Sequence, residues 1–263
     1  MDIISPQSPA GNGAIFDSHA HFDDERFDSF RDELLEMLPS LGVGRIVNCA
    51  VDEHSAAKVL TICDRFPYCL AAVGYHPCNI PEGEPDLSPI IPFFDDGRVV
   101  AVGEIGLDYY WEKDKAEEQK KWLRAQIEFA KMRSLPVIIH DRDAHADTLE
   151  ILKELKPSGV VHCFSGSAEM AEEILKLGMY IGMGGVLTFK NSKHCKQVAE
   201  RAPLDRLLLE TDAPYLAPEP YRGKANHSGL IIRVAEAVAG IKGVSVDEVL
   251  AVTFDNAKRL FKL

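Results

Sequence analysis

The sequence predicts an α/β fold: a single (β/α)8 TIM-type barrel with its active site at the C-terminal ends of the strands. Three observations carry that expectation. Short, continuously apolar runs alternate with amphipathic stretches eight times along the chain. The runs lack the alternating pattern of a half-solvated strand, as parallel strands buried on both faces do. Histidines and carboxylates recur at the ends of those runs, and a barrel gathers such ends at one mouth. A chain of 263 residues suits one such barrel, which takes roughly 250. A doubly wound open sheet is the rival, but no glycine-rich dinucleotide fingerprint follows the first strand and no P-loop is present.

Residues 1–13 are rich in Ser, Pro and Gly and hold no apolar signal-peptide core. They read as a loose N-terminal tail, leaving 14–263 for the barrel. The apolar lead-in Ala14-Ile15-Phe16 ends strand one. Phe27, Phe30, Leu34, Leu35 and Leu38 fall at helical spacing, and Pro39 and Gly42 punctuate that helix. Strand two spans residues 45–50, and Asp52 is placed to cap a helix over 53–66. Strand three, 68–73, leads into Gly74-Tyr75-His76-Pro77, and a weak helix is expected over 87–94. Strand four, 98–102, runs into Gly103-Glu104-Ile105-Gly106-Leu107-Asp108 before a long helix over 116–134. Strand five, 136–140, and strand six, 159–162, each end in a histidine, with a helix over 144–155 between them. A helix over 168–177, strand seven over 180–182, a helix over 193–201 and strand eight over 206–210 follow. Two helices close the chain, over 229–240 and 245–261, the second opening on a Ser245/Glu248 capping box.

Charge narrows the function. With 29 basic and 41 acidic residues the net charge is −12. Passive, charge-driven coating of nucleic acid is excluded, since such proteins are basic. An enzyme that handles phosphate through bound cations is not. The six cysteines include no C-x-x-C pair and read as free, mostly buried thiols of a reducing compartment. No run of about 18 apolar residues exists to cross a membrane, so a cytoplasmic protein is expected. Cys78 and Cys163 lie near the strand ends that matter and are minor candidates for metal contact.

The chemistry concentrates in seven residues. His19 and His21 stand two apart, so in extended backbone both imidazoles project to one side. His76, Glu104, His140, His162 and Asp212 follow strands three, four, five, six and eight. Imidazole and carboxylate together are a divalent-metal donor set. Glu104 lies in an apolar, glycine-flanked stretch where an unpaired carboxylate is costly to bury. Asp212 has a second reading as a helix N-cap. His54, His145, His194 and His227 read as surface or packing residues. Arg222 and Lys224 are candidate clamps on a substrate backbone, or solvated loop charges. Tyr109, Tyr110 and Trp111 follow Glu104 and are candidates either for stacking on bases or for packing at the rim.

The stretches Phe16-Asp17-Ser18-His19-Ala20-His21, Gly74-Tyr75-His76-Pro77, Gly103 to Tyr110, Pro136 to His140, His162-Cys163-Phe164-Ser165-Gly166, Leu209 to Leu216 and Tyr221-Arg222-Gly223-Lys224 resemble the TatD family of metal-dependent hydrolases, within the amidohydrolase-like barrels. The resemblance implies two divalent cations (Mg2+, Mn2+ or Zn2+), one on His19, His21, Glu104 and Asp212, the other on Glu104, His140 and His162. It implies that His76 binds the scissile phosphate, and that DNA is the substrate, degraded from single-stranded ends in the 3′ to 5′ direction by metal-activated water. Asp212 is the candidate for orienting or deprotonating that water, giving Asp212, Glu104 and His76 as the catalytic set. A monomer or weak oligomer is expected. After Arg-Gly-Lys the family pattern continues Arg-Asn-Glu-Pro, whereas this chain has Ala225-Asn226-His227-Ser228. The alternative is a hydrolase of another ester, lactone, amide or aminoacyl-tRNA bond on the same barrel. A non-catalytic metal-dependent scaffold is the remaining one.

Overall fold

The computed structural model describes residues 10, 11 and 13–263. Most of the expected tail, residues 1–9 and 12, lies outside the described residues. Ala10 and Gly11 run against Gly42, and Gly13 against Gly44, so closely that a side chain on either of those two glycines would overlap them.

Eight strands line up in sequence order, each parallel to the next: β1 (Ile15–Ala20), β2 (Val43–Cys49), β3 (Cys69–Val73), β4 (Val99–Asp108), β5 (Val137–Arg142), β6 (Gly159–Val161), β7 (Tyr180–Met183) and β8 (Leu207–Leu209). The sheet curls into a barrel whose seam lies where β1 meets the segment after β8. There Ala20 bridges Ala213, and the Asp212 N–H donates to the His19 carbonyl at 3.0 Å. Asp17 staples the same seam. Its Oδ1 accepts the His19 and Thr211 backbone N–H groups, and its Oδ2 accepts the Thr211 and Ser228 hydroxyls. Burial pushes the Asp17 pKa up to about 6, against the pull of these four donors.

Eight α-helices cover the described barrel: α1 (Arg31–Met37), α2 (Glu53–Arg65), α3 (Ala116–Met132), α4 (His145–Leu155), α5 (Ala168–Lys176), α6 (Lys193–Arg201), α7 (Ile231–Lys242) and α8 (Val246–Phe261). Asp52 caps α2 reciprocally with Ser55, and Ser245 caps α8. The expected helix over 87–94 is replaced by a single 3-10 turn, Ile91–Asp95. Pro89 and Pro92 remove two backbone donors there and prevent an α-helix from propagating. The helix expected over 27–38 is split into a 3-10 turn, Glu25–Phe27, and α1.

Strand alternation sorts the apolar residues into two layers. Ile46, Ala71, Val73 and Val137 face the helices, while Val47, Ala72, Ile138, Val160 and Leu208 fill the barrel interior. Phe16 joins the interior cluster and packs on Phe254 and Phe261 of α8. Two of the register shifts along the sheet fall where functional side chains must be re-aimed. Between Asp17 and Ala20, β1 advances three residues against two of β2 (Ile46 to Asn48). Between Val102 and Ile105, β4 advances three against two of β5 (Val137 to Ile139). The first bulge holds His19 and the second holds Glu104.

Two buried glutamines on α3, seven residues apart and so on one helical face, pin the loops after β3 and β4. Gln126 accepts the Tyr75 N–H at 2.7 Å and donates to the Tyr75 carbonyl at 3.1 Å. Gln119 does the same for Asp108, at 2.8 and 3.1 Å. Leucine at 126 would orphan the buried Tyr75 N–H and C=O, and at 119 the buried Asp108 N–H, whose carbonyl keeps the Glu112 N–H at 3.3 Å; each orphaned group costs about 1–3 kcal/mol. Gln126→Leu is therefore expected to lose about 2–6 kcal/mol and Gln119→Leu about 1–3 kcal/mol in urea unfolding. A loss under about 1 kcal/mol would contradict the pinning role.

Candidate metal centre

Glu104 is the hub. It is 3% exposed, and its two oxygens face two groups of side chains. Oε2 lies 3.3 Å from His19 Nε2 and 3.2 Å from His21 Nε2. Those two nitrogens are 3.0 Å apart, and Asp212 Oδ1 stands 3.6 and 3.5 Å from them. Oε1 lies 2.7 Å from both His140 Nδ1 and His162 Nε2, which are 3.3 Å apart. All seven residues singled out in the sequence meet here, with His76 Nε2 at 3.8 Å from Glu104 Oε1. Asp212 is no helix cap. Its backbone has φ +56, a conformation rare for a non-glycine residue and typical of functional positions.

Hydrogen bonds at the far side of each ring set which nitrogen is bare. His21 Nδ1 donates to the Cys49 carbonyl at 2.8 Å, which leaves a lone pair on Nε2 toward Glu104. His140 Nε2 lies 3.1 Å from Asp108 Oδ2; donation there leaves Nδ1 bare toward Glu104. His76 is the opposite case. Its Nδ1 accepts the Cys78 N–H at 3.1 Å, so the proton sits on Nε2 and points at the mouth. In their neutral forms His21 and His140 thus turn a bare nitrogen to the Glu104 carboxylate, an arrangement that a divalent cation fits. Four sets of three donors among the described residues have metal-ligand proximity: His19/His162/Asp212, His19/His21/Glu104, His76/Asp108/His140 and Glu104/His140/His162.

Among the side chains alone, against the opposing effect of burial, the carboxylates raise His21 and His162. Burial acts to raise the Glu104 pKa, but His162, His19, His76 and His140 outweigh it and hold the carboxyl well below its usual range. Burial pushes His19 down to about 4 and His76 to about 3. Burial also opposes charge on His140, yet Asp108 and Glu104 raise it to about 9. Asp212 is lowered despite its burial, chiefly by the bond to His21.

Three contributors escape a strand-end reading. Asp108 lies four residues beyond Glu104 on β4, an even spacing that puts both on one face, and that spacing was the available signal. Glu210 is fully buried two residues before Asp212. Its Oε1 accepts the Cys163 N–H and lies 3.8 Å from His162 Nδ1, and burial pushes its pKa up to about 8. Gly182 makes room for it, since any side chain there would overlap the Glu210 carboxylate. Cys49 brings the sulfur, 3.3 Å from His19 Nδ1. Cys78 and Cys163 instead contribute backbone N–H groups, and no donor set among the described residues includes a thiol. Arg222 and Lys224 are exposed on the turn after β8, where the Arg222 guanidinium covers the Phe189 ring at 4.5 Å. They are not drawn into the cage.

A parallel barrel with this cluster of imidazoles and carboxylates at its mouth has the architecture of the metal-dependent hydrolases. The comparisons agree. A family model described as TatD related DNase matches residues 16–262. A Bacillus subtilis protein named uncharacterized metal-dependent hydrolase YabD is 42% identical over 253 residues, 95% of this chain and 99% of that one. The Escherichia coli K12 protein named uncharacterized metal-dependent hydrolase YcfH is 37% identical over 256 residues, covering 95% and 96%. The crystal structure of YJJV, a TatD homolog from Escherichia coli K12, superposes with a TM-score of 0.89 at 31% identity, covering 96% of this chain and 100% of that one. The chain belongs to the TatD-related DNase family.

Asp108→Asn tests how the His140 ring is set. The amide would present N–H to His140 Nε2, shifting the imidazole proton to Nδ1 and masking the lone pair aimed at Glu104. Mn2+ affinity measured by calorimetry is expected to fall about 10- to 100-fold. Unchanged affinity would show that Asp108 does not govern that ring.

Proposed function

We propose that the chain is a dinuclear metal-dependent phosphodiesterase that degrades DNA from single-stranded ends, 3′ to 5′. The observation that carries the reading is the division of Glu104, one oxygen turned to His19, His21 and Asp212 and the other to His140 and His162. Each half supplies a donor set for one cation, with Glu104 common to both. DNA as substrate is supported by the family's description, and 3′ to 5′ polarity by the sequence resemblance. No described helix is long and apolar enough to cross a membrane; six free cysteines suit a reducing cytoplasm.

Divalent cations held there would lower the pKa of water and neutralise charge on phosphoryl oxygens, the usual service of a two-metal site. The protein's own groups do the rest. His76, kept neutral by burial, donates its Nε2–H to a non-bridging phosphate oxygen. Asp212 is ionised, and its side chain keeps 19% exposure toward the mouth. One of its oxygens takes the proton of the attacking water. Glu104 holds the two halves in register. Arg222 and Lys224 meet the phosphates of the following nucleotides.

Glu104→Ala is expected to remove bound metal and abolish phosphodiester hydrolysis while the circular dichroism spectrum stays native. Full metal occupancy with a wild-type rate would overturn the mechanism. A wild-type panel of single-stranded DNA, a chromogenic phosphodiester and lactones, each with and without chelator, decides the substrate class. Chelation-sensitive loss of the DNA is expected, and turnover of the lactones alone would move the protein to carbonyl hydrolysis. His76→Ala is expected to lower kcat on DNA by about 100- to 1,000-fold, the range for one lost donor to developing charge. An unchanged kcat would remove His76 from the mechanism.

A further inference from the structure

Three aromatic residues follow the end of β4, and the structure uses only one of them for packing. Tyr109 is half-buried and its hydroxyl donates to Asp147 at 2.7 Å. Tyr110 and Trp111 are left 55% and 66% exposed. Large rings in water forgo the stabilisation that burial would bring. These two are nevertheless held in place. Asp108 Oδ1 accepts both their backbone N–H groups, at 3.0 and 2.9 Å, while its Oδ2 faces His140 Nε2 at 3.1 Å. One carboxylate therefore ties the exposed rings to a residue that touches Glu104. The rings meet edge to face, centroids 4.8 Å apart. Arg142, two residues past His140 on β5, lays its guanidinium over Tyr110 at 4.1 Å and near Trp111 at 5.7 Å. A guanidinium held over a ring can still offer N–H groups to a phosphate.

We propose that Tyr110, Trp111 and Arg142 form a stacking subsite at the rim, which holds one unpaired nucleobase of the strand whose phosphate lies in the mouth. The inference rests on the DNA reading above and adds how a strand end is gripped without sequence preference. Two rings and one guanidinium are far too small for a protein interface, which takes about 800 Å² per partner. They match the face of a single base, and Arg142 adds positive charge beside the rings. Every base offers a π-face, so such a platform tolerates any sequence.

The test measures steady-state degradation of a single-stranded oligonucleotide with Mn2+ by wild type, Trp111→Ala and Trp111→Phe. Stacking of one base is worth roughly 5- to 150-fold. Trp111→Ala is expected to raise KM by at least fivefold with kcat within about twofold, and Trp111→Phe to recover most of the loss. On an oligonucleotide with bases replaced by abasic spacers, wild type and Trp111→Ala are expected to have equal KM. The chain has two tryptophans and Trp122 is buried, so oligonucleotide quenching of indole fluorescence is expected in wild type and absent in Trp111→Phe. An unchanged KM in Trp111→Ala, or the same rise on the abasic strand, would overturn the subsite while leaving the DNA reading intact. A wild-type enzyme that leaves the oligonucleotide whole would overturn both.

Discussion

Everything at the mouth depends on one buried carboxylate in contact with five imidazoles. Glu104 lies within 3.8 Å of His19, His21, His76, His140 and His162. A carboxylate out of water is unfavourable unless positive charge or donors surround it. Two of those partners, His21 and His140, turn a bare nitrogen toward it when neutral, so the folded chain leaves a place for external positive charge. This constraint explains the irregular strands. Without the bulges in β1 and β4, side-chain alternation would rotate His19 and Glu104 out of the mouth.

Around that centre, polar side chains hold backbone that strands and helices leave unpaired. Gln119 and Gln126 pin the loops after β4 and β3. Asp17 binds the seam where the first strand meets the end of the last. Asp108 fixes the His140 ring and the loop beyond it, while Glu210, in the space Gly182 leaves, holds the chain after His162. Each is nearly fully buried, so the centre is built on groups with little freedom to reorganise. Preorganised donors of this kind are the main source of catalytic stabilisation in enclosed sites.

Much of this was legible in the sequence. The eight apolar runs became eight parallel strands, because continuous Val, Ile, Leu and Ala can only be buried on both faces. The seven donors were recognisable because a barrel brings like ends of strands together. The strand limits were harder. β4 continues from Val102 through Glu104 to Asp108, and β1 runs on through His19 to Ala20; polar residues inside a strand look like its end when the barrel mouth that receives them is not yet known. The 87–94 crossover failed as a helix for a local reason, two prolines in four residues. Asp108, Glu210 and the glutamines of α3 carried no distinctive pattern. Their roles arise from contacts across 32 to 51 residues or from loops whose course only the folded chain defines.

The most direct test of the central claim is a crystal of the wild-type chain soaked in Mn2+ and measured for anomalous scattering. The account predicts two peaks that share Glu104, one bounded by His19, His21 and Asp212, the other by His140 and His162. A single peak away from Glu104, or none at saturating Mn2+, would contradict it.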